Sequence, residues 1–457
     1  MSDVTSALLA ALGPDRVRVG SDIPVRNHAD ASGLTPTPPQ ALLLPRTTDD
    51  VAAALRICHE HGQPVVTQGG MTGLAGGAHP QTGEIALSLE RMTGVEEIDE
   101  ASGTLTALAG TPLAVIQKAA EEAGLMCGID LGARGSCTIG GNIATNAGGN
   151  QVLRYGMARR NVLGLEVVLA DGRVVRSLNK MLKNNAGYDW TQLFIGSEGT
   201  LGVVTRVVLG LHPRPQGIQT ALCAVNGFPA ALKVLRALER RFPGRLLVFE
   251  GMWREFMDVA TGPGGLARPF AADHDLCLLI EVAMGEDGPD AFAGFLSEVY
   301  ESGAVEDALV AQSEADRAKF WAYRESPYEY GRYLPKLIGF DVSIPLARMP
   351  EAIEALRQRI PERWPDAVHV AFGHIADSNI HVTVARQGMD AATYRSIEGV
   401  VYDIVAELGG SISAEHGIGR NKRPYLHISR TEPELALMAT IKQALDPRGL
   451  LNPGRVL

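Results

Sequence analysis

Gln68-Gly-Gly-Met-Thr-Gly-Leu-Ala-Gly-Gly-Ala78 sets five glycines in ten positions directly after residues 64–67, which read as a short strand. Such a loop can bring backbone N–H groups against a pyrophosphate with no side chain in the way, and glycine tolerates the positive φ this needs. It is not the dinucleotide fingerprint G-x-G-x-x-G, whose spacing the glycines at 69, 70, 73, 76 and 77 do not meet. Two further segments share its texture: Gly132-Ala-Arg-Gly-Ser-Cys-Thr-Ile-Gly-Gly-Asn-Ile-Ala-Thr-Asn-Ala-Gly-Gly149, and Gly196-Ser-Glu-Gly-Thr-Leu-Gly202. The former mixes small residues with short hydroxyl and amide donors, too long and too uncharged for an ordinary exposed loop. Three such segments before residue 203 predict a domain built around a long, phosphate-bearing ligand.

Outward from the first loop, the pattern is that of a mixed α+β domain. Leu8, Leu9 and Leu12 recur at helical spacing behind Ser2 and Asp3. Residues 41–44 read as a strand, and Thr47 or Thr48 caps a helix with Asp49 and Asp50 in its first turn. Strands are expected at 85–89, 95–98, 104–109 and 203–211, a helix at 113–123, and a hairpin of 162–169 with 174–177 around Asp171-Gly172. His212-Pro-Arg-Pro-Gln-Gly217 is the expected boundary, since two prolines and a glycine interrupt the pattern. Beyond it, strands at 220–224, 246–250, 276–282, 338–344 and 368–371 alternate with helices at 229–241, 291–300, 314–323, 350–359 and 391–408. This predicts a second α+β domain, an antiparallel sheet with helices on one face. One helix, 432–445, is expected in the tail.

The composition of the 457 residues excludes other classes. Acidic residues outnumber basic ones 52 to 42, for a net charge of −10, with no basic block to neutralise a row of phosphates, so nucleic acid is not an expected partner. Five cysteines, Cys58, Cys127, Cys137, Cys223 and Cys277, form no C-x-x-C pair and argue for a reducing compartment. No basic region precedes an apolar stretch at the N-terminus and no apolar run approaches ~20 residues, so a cytoplasmic protein without a transmembrane segment is the expectation.

The most informative chemistry lies in His374-Ile-Ala-Asp-Ser-Asn-Ile-His381. If Asp377-Ser378 is a two-residue hairpin turn, His374 and His381 face each other across adjacent strands with Cβ atoms ~5 Å apart, close enough to share a metal. Glu415, in Ser413-Ala-Glu-His-Gly-Ile-Gly419, offers a third ligand. Two histidines and a carboxylate with open positions suit Zn²⁺, Mn²⁺, Fe²⁺ or Co²⁺ as a Lewis acid. His416 follows directly and is a natural general base beside such an ion.

The order of the three glycine segments, with Leu451-Asn-Pro-Gly454 near the end, resembles the FAD-binding oxidoreductases of the vanillyl-alcohol oxidase (PCMH) type. The resemblance is to the branch of D-lactate and D-2-hydroxyglutarate dehydrogenases and the glycolate oxidase flavin subunit. It implies a PCMH-type FAD domain over 1–215 (core 36–213), an α+β cap or substrate domain over 216–410, and a segment, 411–457, returning to the flavin. Gly69, Gly70, Thr72, Gly73 and Leu74 would then hold the pyrophosphate, and Ser136, Gly140, Asn142 and Thr145 would line the flavin. Glu198, Gly199 and Val204 would lie near the adenine end, and Asn452 near the isoalloxazine. No histidine or cysteine stands at an obvious attachment position, His79 being just past the first loop, so FAD is expected to be non-covalent. The resemblance further implies His374, His381 and Glu415 as metal ligands, with Zn²⁺ or Mn²⁺ first, His416 as catalytic base, and Arg324 in Phe320-Trp-Ala-Tyr-Arg-Glu325 on the substrate carboxylate.

The implied reaction is oxidation of a small D-2-hydroxy acid to the 2-oxo acid, the proton going to His416 and the hydride to the flavin. Hydroxyglutarate enzymes usually carry a threonine four positions after the arginine, a lysine two before the next strand's aspartate, and an asparagine after the second histidine. Here those places hold Tyr328, Gly339 and Thr383. Lys336 or Arg332 could substitute. D-lactate or a similar monocarboxylate is therefore expected ahead of D-2-hydroxyglutarate or D-malate. The acceptor stays open between a quinone, an electron-transfer flavoprotein and another carrier, and a homodimer is an option. Two rivals remain: a non-redox flavoenzyme of the alkyl-dihydroxyacetonephosphate synthase kind, and a non-catalytic flavin subunit of a complex.

Overall fold

The computed structural model describes residues 2–457. Their backbone falls into two compact units, one running to Arg214 and resuming at Glu415–Leu457, the other Pro215–Ala414.

In the first unit the helix Asp3–Leu12 is capped by Ser2, whose hydroxyl accepts from the Thr5 N–H, and it buries Leu8 and Leu12. Thr47 and Asp50 form a capping box that starts Thr48–His61, and Gly62, at φ 66°, ends it in the left-handed region that suits glycine. That helix crosses between parallel strands of a four-stranded sheet ordered Val17–Arg18, Ala41–Leu43, Ile85–Ser88, Val65–Gln68. The last of these opens into the first glycine segment, and Val65 also bridges Leu451, which seats the C-terminal stretch beside it. An antiparallel sheet ordered Val95–Asp99, Thr104–Leu108, Val203–Pro213, Val162–Val168, Val174–Ser177 completes the unit. Val203–Pro213 runs on through His212 and Pro213 because Leu125–Cys127 pairs with it there.

The second unit is a seven-stranded antiparallel sheet ordered Asp307–Val310, Ile218–Val225, Leu276–Ala283, Leu246–Trp253, Val368–Gly373, Asn379–Ala385, Leu337–Ser343. Helices on one face were expected, but both faces are covered. Leu276–Ala283 is buried at every position, which requires apolar cover on both sides. The additional layer is Arg254–Thr261 with Glu314–Glu325. Phe256, Phe320 and Tyr323 from these helices share one apolar cluster with Leu222, Met252, Leu279 and Phe372 of the sheet. Arg254–Thr261 escapes a reading of the sequence because it follows strand residue Trp253 with no turn residue between them.

Candidate functional site

Within the first unit the glycine segments lie against one another. A Cβ on Gly70 would collide with the Ser136 carbonyl, and one on Gly69 with Thr138 Oγ1, so the first two segments approach to backbone contact. Gly140 packs equally closely on Ala109 and donates its N–H to that residue's carbonyl at 2.8 Å. Met71 and Asn146, at φ 58° and 49°, sit in the left-handed region that non-glycine residues rarely adopt, as functional loops often do. Thr67 Oγ1 and Thr138 Oγ1 are buried without a partner among the described residues. Two orphaned hydroxyls beside a loop of bare backbone fit a phosphate-bearing cofactor.

Of the other candidates in this unit, Thr72 and Gly73 lie along the first loop, and Leu74 is half exposed. Asn142 is buried with its Oδ1 on Cys137 Sγ, Thr145 Oγ1 donates to Gly141 O, Ser136 Oγ donates to Ala133 O, and Val204 is buried in its strand. Asn452 ties the strand end to the third segment, accepting from Thr67 N at 2.8 Å and donating to the Glu198 carbonyl at 2.6 Å. A Cβ on Gly199 would strike the Asn452 amide. Gly70→Ala is accordingly expected to weaken FAD retention about tenfold or more through overpacking, read as the flavin-to-protein absorbance ratio after gel filtration.

Glu198 has a second task. Its carboxylate accepts from Ile418 N and Gly419 N, both at 2.7 Å, and so fixes the loop that carries Glu415 and His416. Burial pushes its carboxyl up, against the two N–H groups and Lys422. Gly417 and Gly419, at φ 77° and 51°, allow the loop to fold down upon Glu198 and Ala75. Glu415 Oε1 accepts from Gly149 N at 2.5 Å, which draws the acidic residue to the second glycine segment.

In the second unit the histidines come together by a different route from the one expected. Strands Val368–Gly373 and Asn379–Ala385 pair in a register that sets Phe372, not His374, opposite His381. The connection is a 3-10 turn, Ile375–Asp377, closed by Ser378 at φ 75°. Gly251 and Gly373 pair across neighbouring strands, and with no Cβ on Gly251 the turn folds down until Ile375 rests upon it. His374, at the head of the turn, still brings its ring to 5.6 Å from that of His381, centroid to centroid, nearly perpendicular. His381 faces Asp341 across the other side, 3.8 Å from Nδ1 to Oδ1.

Glu250, which the sequence reading passed over, braces the group. One carboxylate oxygen is 2.5 Å from His374 Nδ1 and the other accepts from Arg324 Nε at 2.6 Å. Burial pushes this carboxyl up, but His374 and Arg324 outweigh burial and hold it at about 2. Arg324 is thus paired with Glu250, not with its neighbour Glu325, and its guanidinium stacks 4.8 Å from the Phe372 ring. A histidine whose Nδ1 is held by a carboxylate presents Nε2 outward, the usual arrangement behind a metal ligand, so the donor set fits a divalent ion. Both acidic residues left a signal: Glu250 and Asp341 each interrupt an otherwise apolar strand.

Of the positions that differ from hydroxyglutarate enzymes, Gly339 and Thr383 pair across strands on the face that carries Asp341 and His381, and a Cβ on Gly339 would meet open space. Tyr328 is exposed. Arg332 pairs with Glu329, while Lys336 Nζ rests on a neutral acceptor, the Met389 carbonyl at 3.1 Å.

Comparison with known proteins accords with this arrangement. Residues 39–177 match the family model described as FAD binding domain, and residues 214–456 match FAD linked oxidases, C-terminal domain. The chain is 41% identical to a Bos taurus protein named "D-2-hydroxyglutarate dehydrogenase, mitochondrial" over 92% of this chain and 77% of that one. It is 39% identical to the D-2-hydroxyglutarate dehydrogenase of Xanthomonas citri pv. viticola over 92% and 89%. Among solved structures, p-cresol methylhydroxylase shares the fold at TM-score 0.79 and 18% identity, covering 99% of this chain and 96% of that one. Alkyldihydroxyacetonephosphate synthase does so at 0.77 and 18%, covering 99% and 86%. The chain belongs to the family of FAD-linked oxidases, as an FAD-dependent oxidoreductase in the branch that contains the D-2-hydroxyglutarate dehydrogenases.

Proposed function

We propose that the protein oxidises a D-2-hydroxy acid to the 2-oxo acid, with D-2-hydroxyglutarate preferred, using non-covalent FAD and a divalent metal, Zn²⁺ or Mn²⁺. The observation that carries the reading is the braced pair His374 and His381, with Arg324 on the same carboxylate as His374. Glu415 is the proposed third ligand. When bound, the metal supplies Lewis-acid polarisation of the substrate's hydroxyl and carboxylate oxygens. FAD supplies the two-electron sink for the hydride leaving C2.

The protein's own groups orient and deprotonate. With Nε engaged by Glu250, Arg324 keeps its Nη1/Nη2 edge for the substrate α-carboxylate, a fork-to-fork contact that fixes C2. His416 accepts the hydroxyl proton. Asn452, Gly199 and the glycine segments hold the cofactor by backbone approach. Non-covalent FAD is expected to leave a colourless pellet and a yellow supernatant on acid precipitation, and a yellow pellet would refute it.

Relatives at this level of identity tip the balance between the two acids towards the dicarboxylate. Gly339 and Tyr328 favour the second reading, a D-lactate-like monocarboxylate, since neither supplies a cation for a distal carboxylate. Lys336 can. Its present partner is a neutral carbonyl, that of Met389. Anaerobic flavin bleaching across D- and L-hydroxy acids tests this. D-2-hydroxyglutarate should exceed D-lactate by roughly tenfold or more, as one paired charge is worth, and Lys336→Ala should erase the difference. Equal or faster bleaching by D-lactate would establish the monocarboxylate reading.

A further inference from the structure

We infer that Glu250 is a positioning residue that sets the metal-binding and substrate-binding groups together, through the two oxygens of a single carboxylate. The inference rests on the proposed roles of His374 and Arg324. Glu250 lies at a central strand of its sheet, 1% exposed in its side chain, among apolar neighbours. A carboxylate there is unfavourable unless both oxygens are satisfied, and a hydrophobic residue would serve stability as well or better. Both oxygens are satisfied by groups the reaction uses: His374 Nδ1 at 2.5 Å and Arg324 Nε at 2.6 Å. The first contact fixes the tautomer and turns Nε2 outward. The second commits one edge of the guanidinium and leaves the end-on pair for a carboxylate. Tilting Glu250 therefore moves both at once, so metal affinity and the Michaelis constant should change together.

Glu250→Gln is the sharp variant. Its amide can accept from one partner, but its NH₂ then confronts a second donor, so one contact is lost. Full-length, FAD-loaded wild type and variant are titrated with Zn²⁺ and with Mn²⁺ against a chromophoric chelator, and steady-state kinetics are measured alongside. The expected result is metal affinity lowered by about 10–100-fold, KM for the hydroxy acid raised several-fold, and flavin absorbance and FAD content unchanged. In the Arg324→Ala background the KM effect of Glu250→Gln should vanish while the metal effect persists, which a merely structural role would not produce. Wild type that binds no metal overturns the metal reading and this inference with it. Wild type that binds metal, with a variant that binds it equally tightly at unchanged KM, overturns the inference alone. If Glu250→Gln does not fold, Glu250→Asp keeps the charge but shortens the reach by one methylene. It should loosen metal in the same direction, and unchanged affinity there also overturns the inference.

Discussion

His374→Ala and His381→Ala should each release the metal and cut turnover while FAD stays bound. Removing one of three protein ligands leaves too few donors to hold a divalent ion, and losing the Lewis acid removes several kcal/mol of transition-state stabilisation, on the order of 10³-fold in kcat. The flavin should be spared, because the orphaned threonine hydroxyls and the glycine loops belong to other elements than the histidine turn. His374→Ala also strips a partner from the buried Glu250 carboxylate, a cost of about 1–3 kcal/mol. It should therefore melt at a lower temperature than wild type, and both variants should be metal-free by elemental analysis and yellow. Full metal occupancy in either variant would remove that histidine from the ligand set.

Local signals made the outer parts of the fold legible and tertiary ones hid the rest. The helix Glu432–Leu445 announces itself through the Thr431/Glu434 capping box, and the hairpin of Val162–Val168 with Val174–Ser177 through Asp171-Gly172. Both signals lie within a few residues of what they specify. The histidine turn shows the limit. Counting residues suggests a two-residue loop with His374 opposite His381, but the turn is longer, and what shapes it is a glycine pair, Gly251 with Gly373, on strands far apart in sequence. The imidazoles meet all the same, because the 3-10 turn leads His374 back over the sheet.

Glu250 is the clearest case of a residue whose partners no linear reading reaches. Its partners are 74 and 124 positions away, and nothing in Leu-Val-Phe-Glu-Gly distinguishes a brace from an isolated buried acid. The one available clue is energetic: a lone carboxylate in an apolar strand must find cationic or donor partners. Glu198 is similar. Its motif, Gly196-Ser-Glu-Gly199, suggests cofactor contact, while its carboxylate is in fact bonded to the loop that displays Glu415 and His416.

Arg324→Ala is expected to damage every 2-hydroxy acid alike, since the α-carboxylate is common to all of them. Truncating one side of a charge-assisted pair costs about 2–5 kcal/mol, which corresponds to roughly 30-fold to several-thousand-fold in kcat/KM. Because that carboxylate is held in both the ground and transition states, most of the loss should appear in KM. Arg324→Lys should rescue little. An ammonium is a single point charge and cannot hold Glu250 with one edge while presenting a fork with another. Loss of the Nε contact also leaves Glu250 with His374 alone, so the alanine variant should lose thermal stability as well as affinity. The discriminating measurement is kcat/KM for D-2-hydroxyglutarate and D-lactate side by side. A parallel fall for both acids marks the α-carboxylate as the group Arg324 holds. A fall confined to the dicarboxylate would move Arg324 to the distal end and leave Lys336 without a role. Unchanged kinetics with a lowered melting temperature would reduce Arg324 to a brace for Glu250.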